Sequence, residues 1–536
     1  KRNRRQLNYA TNPPRRHFHR MADQANVDPL ALWRDWVANS ERQWNAFLNN
    51  AMATDEFSQT MGRMMDVYLN VQKQMNEVMG RYLQVINVPT RNDVMAIGER
   101  LSQIEDRLVS IEDALECRRA GTGPAAPDEE ASQFLIERSS AVDAAVNAPR
   151  HSEGGPGTRS VTLRLWPATG RPSRQEVRMT APAQELTVEQ RVRQEIERTI
   201  QRSIKGLEYI STGDPAVGLT PKDTLFQKGT LKLYHYRPQS DEVYRVPVML
   251  VMSLVSKPYI LDLTPGQSLV EFLVKKGFDV YMIDWGVPRP EDARLRLEDY
   301  VLDFIPDCAE RVLRDSGEDE LSIVGYCMGG QLSTMYAALH PDGPMKNLAC
   351  FTTPVDADGM TLFRQWTDRR YFDVDRVVDT LGNVPPELLY ASFDMLKPAA
   401  RVAKNVQLWD NLWNDEFVKS YRMFDRWAAD QIPFPGECFR QFTKDFMWDN
   451  KFAKNELLLA GRRVDLGNVR IPFIHIVAEH DHIVPYEAAR PLVQLVGSED
   501  KKEVMLKGGH VSLVAGGNAI YRLWPQLESW LGERSV

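Results

Sequence analysis

From residue 186 onward, short apolar segments alternate with longer amphipathic ones, and this alternation constrains the fold more than any other feature of the chain. Segments 246–255 and 473–478 are apolar at nearly every position, as in strands that are buried on both faces. Alternating strands and helices are typical of a mostly parallel sheet with helices on both sides. We therefore predict an α/β domain over residues 186–536.

The predicted elements of this domain follow one another closely. They are helix 188–207, strands 231–236 and 246–255, helix 268–275, strand 279–284, helix 290–313, strand 321–324, helix 330–339, and strands 347–351, 473–478 and 503–507. A helical, aromatic stretch of about 358–454 interrupts this order and is predicted to be an inserted cap. We interpret most of its tryptophans as helical core, with an apolar lid as the alternative; they are Trp366, Trp409, Trp413, Trp427 and Trp448.

The segment Leu-Ser-Ile-Val-Gly-Tyr-Cys-Met-Gly-Gly, residues 321–330, combines a strand, a tight turn and the start of a helix. This is the nucleophile-elbow pattern of α/β hydrolases with cysteine in place of serine. Gly325 and Gly329 leave room for the tight turn, which raises Cys327 above the edge of the sheet. The N-terminus of the following helix favours a thiolate there.

Two backbone N–H groups are expected to stabilise an oxyanion beside this cysteine. The first belongs to Met328, which follows the nucleophile directly. The second is expected in the loop that follows strand residues 246–253, over 254–257, where we favour Val255.

A carboxylate and an imidazole follow two later strands. Asp481 comes just after strand 473–478, and His510, preceded by two glycines, comes just after strand 503–507. The order nucleophile, acid, base is that of an α/β-hydrolase triad, and the carboxyl ends of parallel strands meet at one edge of the sheet. We predict a catalytic triad of Cys327, His510 and Asp481.

Neighbouring side chains offer alternatives to these assignments. Glu479 could replace Asp481 as the acid, although we prefer Asp481. His475 lies within a predicted strand and is interpreted as structural, whereas His480 and His482 flank the acid and are expected to line the pocket.

Composition excludes several classes of function. The 536 residues carry a net charge of −7, which argues against nucleic acid as a partner. The five cysteines, at 117, 308, 327, 350 and 438, form no CxxC pair and no metal-ligand cluster, so we expect a reducing, cytoplasmic compartment and no metal. No apolar run reaches the roughly 18–20 residues of a transmembrane segment.

The first 185 residues differ from the rest in composition and in predicted secondary structure. Residues 1–27 are predicted to be a basic, disordered arm. Residues 28–117 are predicted to be a helical region, in which a first helix begins at Asp28-Pro29 and a second spans 54–86. Apolar residues spaced three and four apart over 94–115 predict a coiled coil, with an intramolecular helical hairpin as the alternative. Residues 118–185, rich in Gly, Pro, Ala and Ser, are predicted to be a flexible linker.

Over residues 186–536 the chain resembles class III polyhydroxyalkanoate synthases. The matching motifs are Tyr-Ile-Leu-Asp-Leu-Thr-Pro at 259–265, Asp-Trp-Gly at 284–286, Gly-Tyr-Cys-Met-Gly-Gly at 325–330, Asp-His-Ile-Val-Pro at 481–485 and Gly-Gly-His at 508–510. The helical region 28–117 resembles the separate partner subunit of that family, here on the same chain.

This resemblance implies an acyltransferase that polymerises (R)-3-hydroxyacyl-CoA, such as 3-hydroxybutyryl-CoA, into a polyester with release of CoA. Cys327 would carry the acyl group, and His510 would deprotonate Cys327. Asp481 would help to activate the 3-hydroxyl, directly or through His510. The resemblance also implies a homodimer bound to polyester granules, with no cofactor beyond the CoA thioester substrate. The alternatives are a cysteine-type hydrolase of esters or thioesters and a non-catalytic granule-associated protein.

Overall fold

The computed structural model describes residues 29–85, 197–198, 202, 205, 209, 216–240 and 242–535. The predicted arm, the heptad segment 94–115, the linker and most of helix 188–207 lie outside these residues. The chain divides into two compact units, residues 1–103 with 199–536 and residues 104–198. All the elements named below belong to the first unit.

An eight-stranded sheet forms the centre of this unit, in the order β1-β2-β4-β3-β5-β6-β9-β10. Strand β2 is antiparallel to both β1 and β4, and the other neighbours are parallel. The strands are β1 Lys222–Lys228, β2 Leu231–Tyr236, β3 Val248–Val251, β4 Val280–Asp284, β5 Leu321–Tyr326, β6 Met345–Phe351, β9 Phe473–Ala478 and β10 Lys501–Leu506; β7 Leu458–Leu459 and β8 Arg462–Arg463 pair separately.

Side chains alternate between two apolar layers along the central strands. In β3, Met249 and Val251 pack in one layer, whereas Val248 and Leu250 pack in the other. Because successive side chains of a strand point to opposite faces, both faces of the sheet are covered. The predicted α/β fold with a mostly parallel sheet is confirmed.

Helices cover the sheet and build an insertion between β6 and β7. Around the sheet lie α3 Leu269–Lys275, α4 Ile305–Ser316, α5 Met328–Leu339, α12 Tyr486–Ala489, α13 Pro491–Leu495 and α14 Trp524–Gly532. The inserted cap contains α6 Thr361–Trp366, α7 Val374–Leu381, α8 Pro386–Met395, α9 Ala400–Asn411, α10 Asp415–Ala429 and α11 Gly436–Gln441, followed by a π-helical segment Phe442–Trp448.

The predicted elements and the structure differ most clearly in three places. The helix predicted over 290–313 consists of a 3-10 turn at Pro290–Arg294, a π-helical turn at Asp299–Phe304 and α4. The π turn precedes Pro306, which has no N–H to donate to the carbonyl four residues earlier. Strand β1 was missed because it is a half-exposed edge strand with polar residues, and β3 is shorter than predicted.

The N-terminal helix pair, α1 Pro29–Met52 and α2 Asp55–Val85, packs against the cap. Leu69 of α2 is buried in the larger core layer, and a side chain at Gly62 would collide with the backbone carbonyl of Tyr371. Met52 of α1 is buried against Trp366 of the cap. The helix pair and the cap therefore share apolar core.

Candidate active site

Cys327 occupies the sharp turn between β5 and α5. Its backbone has φ 55° and ψ −120°, and its N–H donates to the carbonyl of Phe351 at 2.9 Å. A Cβ at Gly329 would collide with the carbonyl of Val251, and one at Gly325 would collide with the backbone of the following helix turn. The two glycines are therefore required for the close packing of the predicted elbow.

The Cys327 side chain lies where three apolar clusters meet, and it is half-buried. The other described cysteines, Cys308, Cys350 and Cys438, are fully buried. Burial raises the pKa of all three thiols, to about 12 for Cys350. Among the described cysteines, Cys327 is thus the one with access to solvent.

The structure brings Asp481 and His510 into direct contact. His510 Nδ1 lies 2.7 Å from Asp481 Oδ2, and the Asp481 side chain has no exposed surface. His510 itself is only 4 % exposed. A buried pair of this kind is shielded from water, so its electrostatic interaction is strong.

The pKa values of this pair are shifted in opposite directions. Burial would lower the pKa of His510, but the charge of Asp481 and then that of Cys327 raise it to about 10, together with hydrogen bonds to both side chains. Burial would raise the pKa of Asp481, but the charge of His510 and hydrogen bonds from His510, Thr352 and the Val484 N–H lower it. The three predicted triad side chains therefore form one cluster, in which His510 interacts with both Asp481 and Cys327.

Sequence reasoning missed Thr352, whose hydroxyl donates to Asp481 Oδ2 at 2.5 Å. It directly follows β6, next to β9 in the sheet. Its place after a strand could have marked it as a candidate, since Asp481 and His510 were found in the same way.

The remaining predicted alternatives lie around the pair. His475 is fully buried in β9, and burial lowers its pKa to about 3. Glu479 and His480 are exposed. His482 is half-buried, and its pKa is lowered to about 4 by burial and then by the charge of Lys397. Asp481 is thus the carboxylate that faces His510, and of the two histidines beside it His482 is the more buried.

The two predicted oxyanion donors lie on different elements. Met328 is the first residue of α5. Val255 lies in the loop between β3 and a 3-10 turn at Pro258–Leu261, and its carbonyl accepts the N–H of Ile432 from the cap at 3.3 Å. The adjacent Ser256 pairs with Gln431. The loop predicted to complete the oxyanion hole is therefore hydrogen-bonded to the cap.

The cap tryptophans divide into two groups. Trp366 and Trp427 are buried, and the indole N–H of Trp427 donates to the carbonyl of Lys257 at 3.0 Å. Trp448 is half-buried, and its indole N–H donates to the carbonyl of Thr367. Trp409 and Trp413 are exposed, so these two are exceptions to the interpretation of most cap tryptophans as helical core.

No set of three or more His, Cys, Asp or Glu side chains in the described part of the chain is arranged to bind a metal ion. Over the same residues, every helix is too short or too polar to cross a membrane.

Comparison with family models assigns three regions of the chain. Residues 261–516 match the alpha/beta hydrolase fold, and these include Cys327, Asp481 and His510. Residues 191–273 match the N-terminus of poly-beta-hydroxybutyrate polymerase. Residues 15–111 match a poly(R)-hydroxyalkanoic acid synthase subunit.

Curated relatives agree with these matches. The chain is 39% identical over 328 residues to a poly(3-hydroxyalkanoate) polymerase subunit of Haloferax mediterranei, covering 61% of this chain and 66% of that protein. It is 37% identical to the subunit of the same name from Allochromatium vinosum, covering 62% of this chain and 94% of that one. The subunit from a Synechocystis species is 33% identical, with 62% and 89% covered. The chain therefore belongs to the polyhydroxyalkanoate synthases, as a class III poly(3-hydroxyalkanoate) polymerase that carries a partner-subunit-like helical region on the same polypeptide.

Proposed function

We propose that Cys327, His510 and Asp481 are the catalytic residues that transfer the acyl group of (R)-3-hydroxyacyl-CoA to a growing polyester. The observation that carries this proposal is the buried His510–Asp481 pair, in which the charge of Asp481 and then that of Cys327 at the elbow raise the pKa of His510. A thiol beside an oriented imidazole is the arrangement of an activated nucleophile.

In the first step, His510 takes the proton of Cys327, whose sulfur attacks the thioester carbonyl. The bond between the acyl carbon and the CoA sulfur breaks, CoA leaves with the proton from His510, and the acyl group stays on Cys327. One thioester replaces another, so the acyl group remains activated. The N–H of Met328, with that of Val255 as second donor, would stabilise the oxyanion.

In the second step, the 3-hydroxyl of another hydroxyacyl group gives its proton to His510. Its oxygen attacks the acyl carbonyl, and the sulfur of Cys327 leaves and regains the proton. The ester bond formed lengthens the chain by one unit. Asp481 keeps His510 in the tautomer that accepts these protons at Nε2. No cofactor takes part in either step.

The helix pair is proposed to replace a separate partner subunit. It supports the cap, and the cap is hydrogen-bonded to the loop that contains Val255. A covalent connection raises the effective concentration of such a partner. A homodimer that works at the surface of cytoplasmic polyester granules stays a prediction from the family.

The test is incubation of the purified chain alone with 3-hydroxybutyryl-CoA, with CoA release, turbidity and the site of acylation followed together. We expect CoA release, a turbid polymer and an acyl adduct on Cys327 by mass spectrometry. CoA release without turbidity would favour a cysteine-type hydrolase. An absence of CoA release would favour a non-catalytic granule-associated protein.

A further inference from the structure

We propose that Thr352 is a positioning residue, which sets the orientation and proton affinity of the Asp481–His510 pair through its hydroxyl. This inference rests on the proposed function, because it concerns the same acyl-transfer site. Thr352 follows the last residue of β6, and Asp481 follows the neighbouring strand β9.

The hydroxyl completes the set of donors around a buried carboxylate. Oδ2 of Asp481 accepts from His510 Nδ1 at 2.7 Å and from Thr352 Oγ1 at 2.5 Å. Oδ1 accepts from the backbone N–H groups of Ile483 and Val484, both at 2.9 Å. An ionised carboxylate only accepts hydrogen bonds, so Thr352 must be the donor. It therefore shares with His510 the oxygen that orients the imidazole.

The backbone of Thr352 is held in a conformation that β-branched residues rarely adopt. Its φ is 40°, in the left-handed region, although the residue is fully buried. Its N–H donates to the carbonyl of Ile476 at 2.7 Å, which fixes this turn against β9. Strained backbone of this kind persists where the surrounding structure imposes it, often at functional sites. Here the consequence of the strain is that the hydroxyl reaches Asp481.

A donor to the carboxylate stabilises its negative charge, so losing the donor raises the proton affinity of the whole cluster. The titratable groups that act on His510 are Asp481 and Cys327, with Tyr326 and His482 nearby. The pKa of Tyr326 is raised well above its usual value by burial, and that of His482 is lowered to about 4, so both are neutral near pH 7. The pH dependence of Cys327 reactivity near neutrality thus reports on the ionisation of Cys327, His510 and Asp481.

The experiment compares the full-length protein with Thr352→Val and Thr352→Ser. Val keeps the shape and branching without the hydroxyl, and Ser keeps the hydroxyl. Thr353→Val is the matched control, since Thr353 is equally buried but its hydroxyl forms no hydrogen bond to Asp481 or His510. Two measurements are made on each protein. The first gives kcat and KM with 3-hydroxybutyryl-CoA. The second gives the rate at which iodoacetamide alkylates Cys327 at a series of pH values, followed by the mass of the peptide that contains Cys327.

For Thr352→Val we expect kcat to fall about tenfold with little change in KM. The alkylation midpoint, which is the pH at which Cys327 reacts at half its maximal rate, should move up by about 0.5–1 pH unit. Thr352→Ser should stay within about twofold of the parent, and Thr353→Val should keep the parent midpoint. A purely structural role would lower stability without moving the midpoint. A folded Thr352→Val with the parent's midpoint, or a Ser variant as impaired as Val, would overturn the proposal.

Thr352→Gly keeps the test valid if the Val variant fails to fold. Glycine adopts the left-handed conformation without strain, which offsets part of the cost of the lost side chain, and this variant should still show the shifted midpoint. An unshifted midpoint in it would also overturn the proposal. A parent protein that releases no CoA would instead contradict the proposed function, whereas the alkylation profile would still test Thr352.

Discussion

The site at the end of the sheet and the contact between the helix pair and the cap are held together in different ways. The site is a buried polar cluster in which Asp481 accepts four hydrogen bonds. The contact combines buried apolar side chains with ion pairs at its rim, such as Arg376–Asp66, whose side chains are 37 % and 53 % exposed. Polar interactions are strong where water is excluded and weak where it is not. Electrostatics should therefore govern the site, and packing should govern the contact.

The largest effect is expected when the reacting group of the site is removed. Cys327→Ala should lower the rate of CoA release by about 10³-fold or more, because it removes the group that is proposed to carry the acyl chain. Cys327→Ser should be nearly as damaging, since an alcohol is far less ionised near neutral pH. The measurement is CoA release from 3-hydroxybutyryl-CoA, with circular dichroism to show that the fold is retained.

Cys308→Ala is the control for this prediction. Cys308 is buried in α4, so its replacement should cost stability while CoA release continues. Loss of CoA release in a folded Cys308→Ala protein, with activity retained in Cys327→Ala, would show that the nucleophile is wrongly assigned.

Packing at the contact can be tested with two aliphatic residues of α2. Leu69 is 2 % exposed, whereas Val71, two residues later, is 51 % exposed. Leu69→Ala should lower the free energy of unfolding by about 2–5 kcal/mol, because it leaves a cavity between the helix and the cap. Val71→Ala should change it by less than about 0.5 kcal/mol.

Urea unfolding of the two variants measures this difference. Equal, small effects would mean that α2 is not held to the cap by its buried face. Since the cap also contacts the loop that contains Val255, we expect Leu69→Ala to lower CoA release as well.

The parts of the site that the sequence predicted are those that follow directly from a local pattern. Cys327 and Asp481 each come just after a strand that is visible as an apolar run, and strands β2 and β9 have the predicted bounds. His510 follows β10, which is shorter in apolar residues but still ends in Val-Met-Leu. Local composition was sufficient because each side chain is placed by the end of its own strand.

The parts that were missed depend on neighbours distant in sequence. Thr352 acquires its role because β6 pairs with β9, although the whole cap separates them along the chain. The pairing of Ser256 with Gln431 likewise joins a sheet loop to the cap. Strand β1 lacks an apolar run because it lies at the edge of the sheet. Such contacts are set by tertiary packing, which periodicity does not report.

A smaller effect is expected from acid, which should act on the buried His475 rather than on the exposed ion pairs. The pKa of His475 is lowered to about 3 by burial, so the folded state binds its proton less readily than the unfolded state does. Stability should therefore fall as the pH drops below about 6.5, by about 1–2 kcal/mol for this group between pH 7 and pH 5.

His475→Gln keeps a hydrogen-bond acceptor near the Thr353 N–H and removes the titration. The free energy of unfolding of this variant should vary less between pH 7 and pH 5 than that of the parent. His480→Gln, at an exposed position, is the control and should keep the parent's pH dependence. An unchanged slope in His475→Gln would mean that this ring is protonated in the folded protein.

The smallest effect is expected at the rim of the contact. Arg376 donates to Asp66 at 2.7 Å and to Asn70 at 2.5 Å, all on accessible surfaces of the cap and α2. A double-mutant cycle with Arg376→Gln and Asp66→Asn should give a coupling of about 0.2–1 kcal/mol in urea unfolding, and this should shrink in 1 M salt. Packing would remain, so CoA release should persist in both single variants. A salt-resistant coupling of several kcal/mol would show instead that the rim is shielded from water like the site, and the contrast between the two regions would fail.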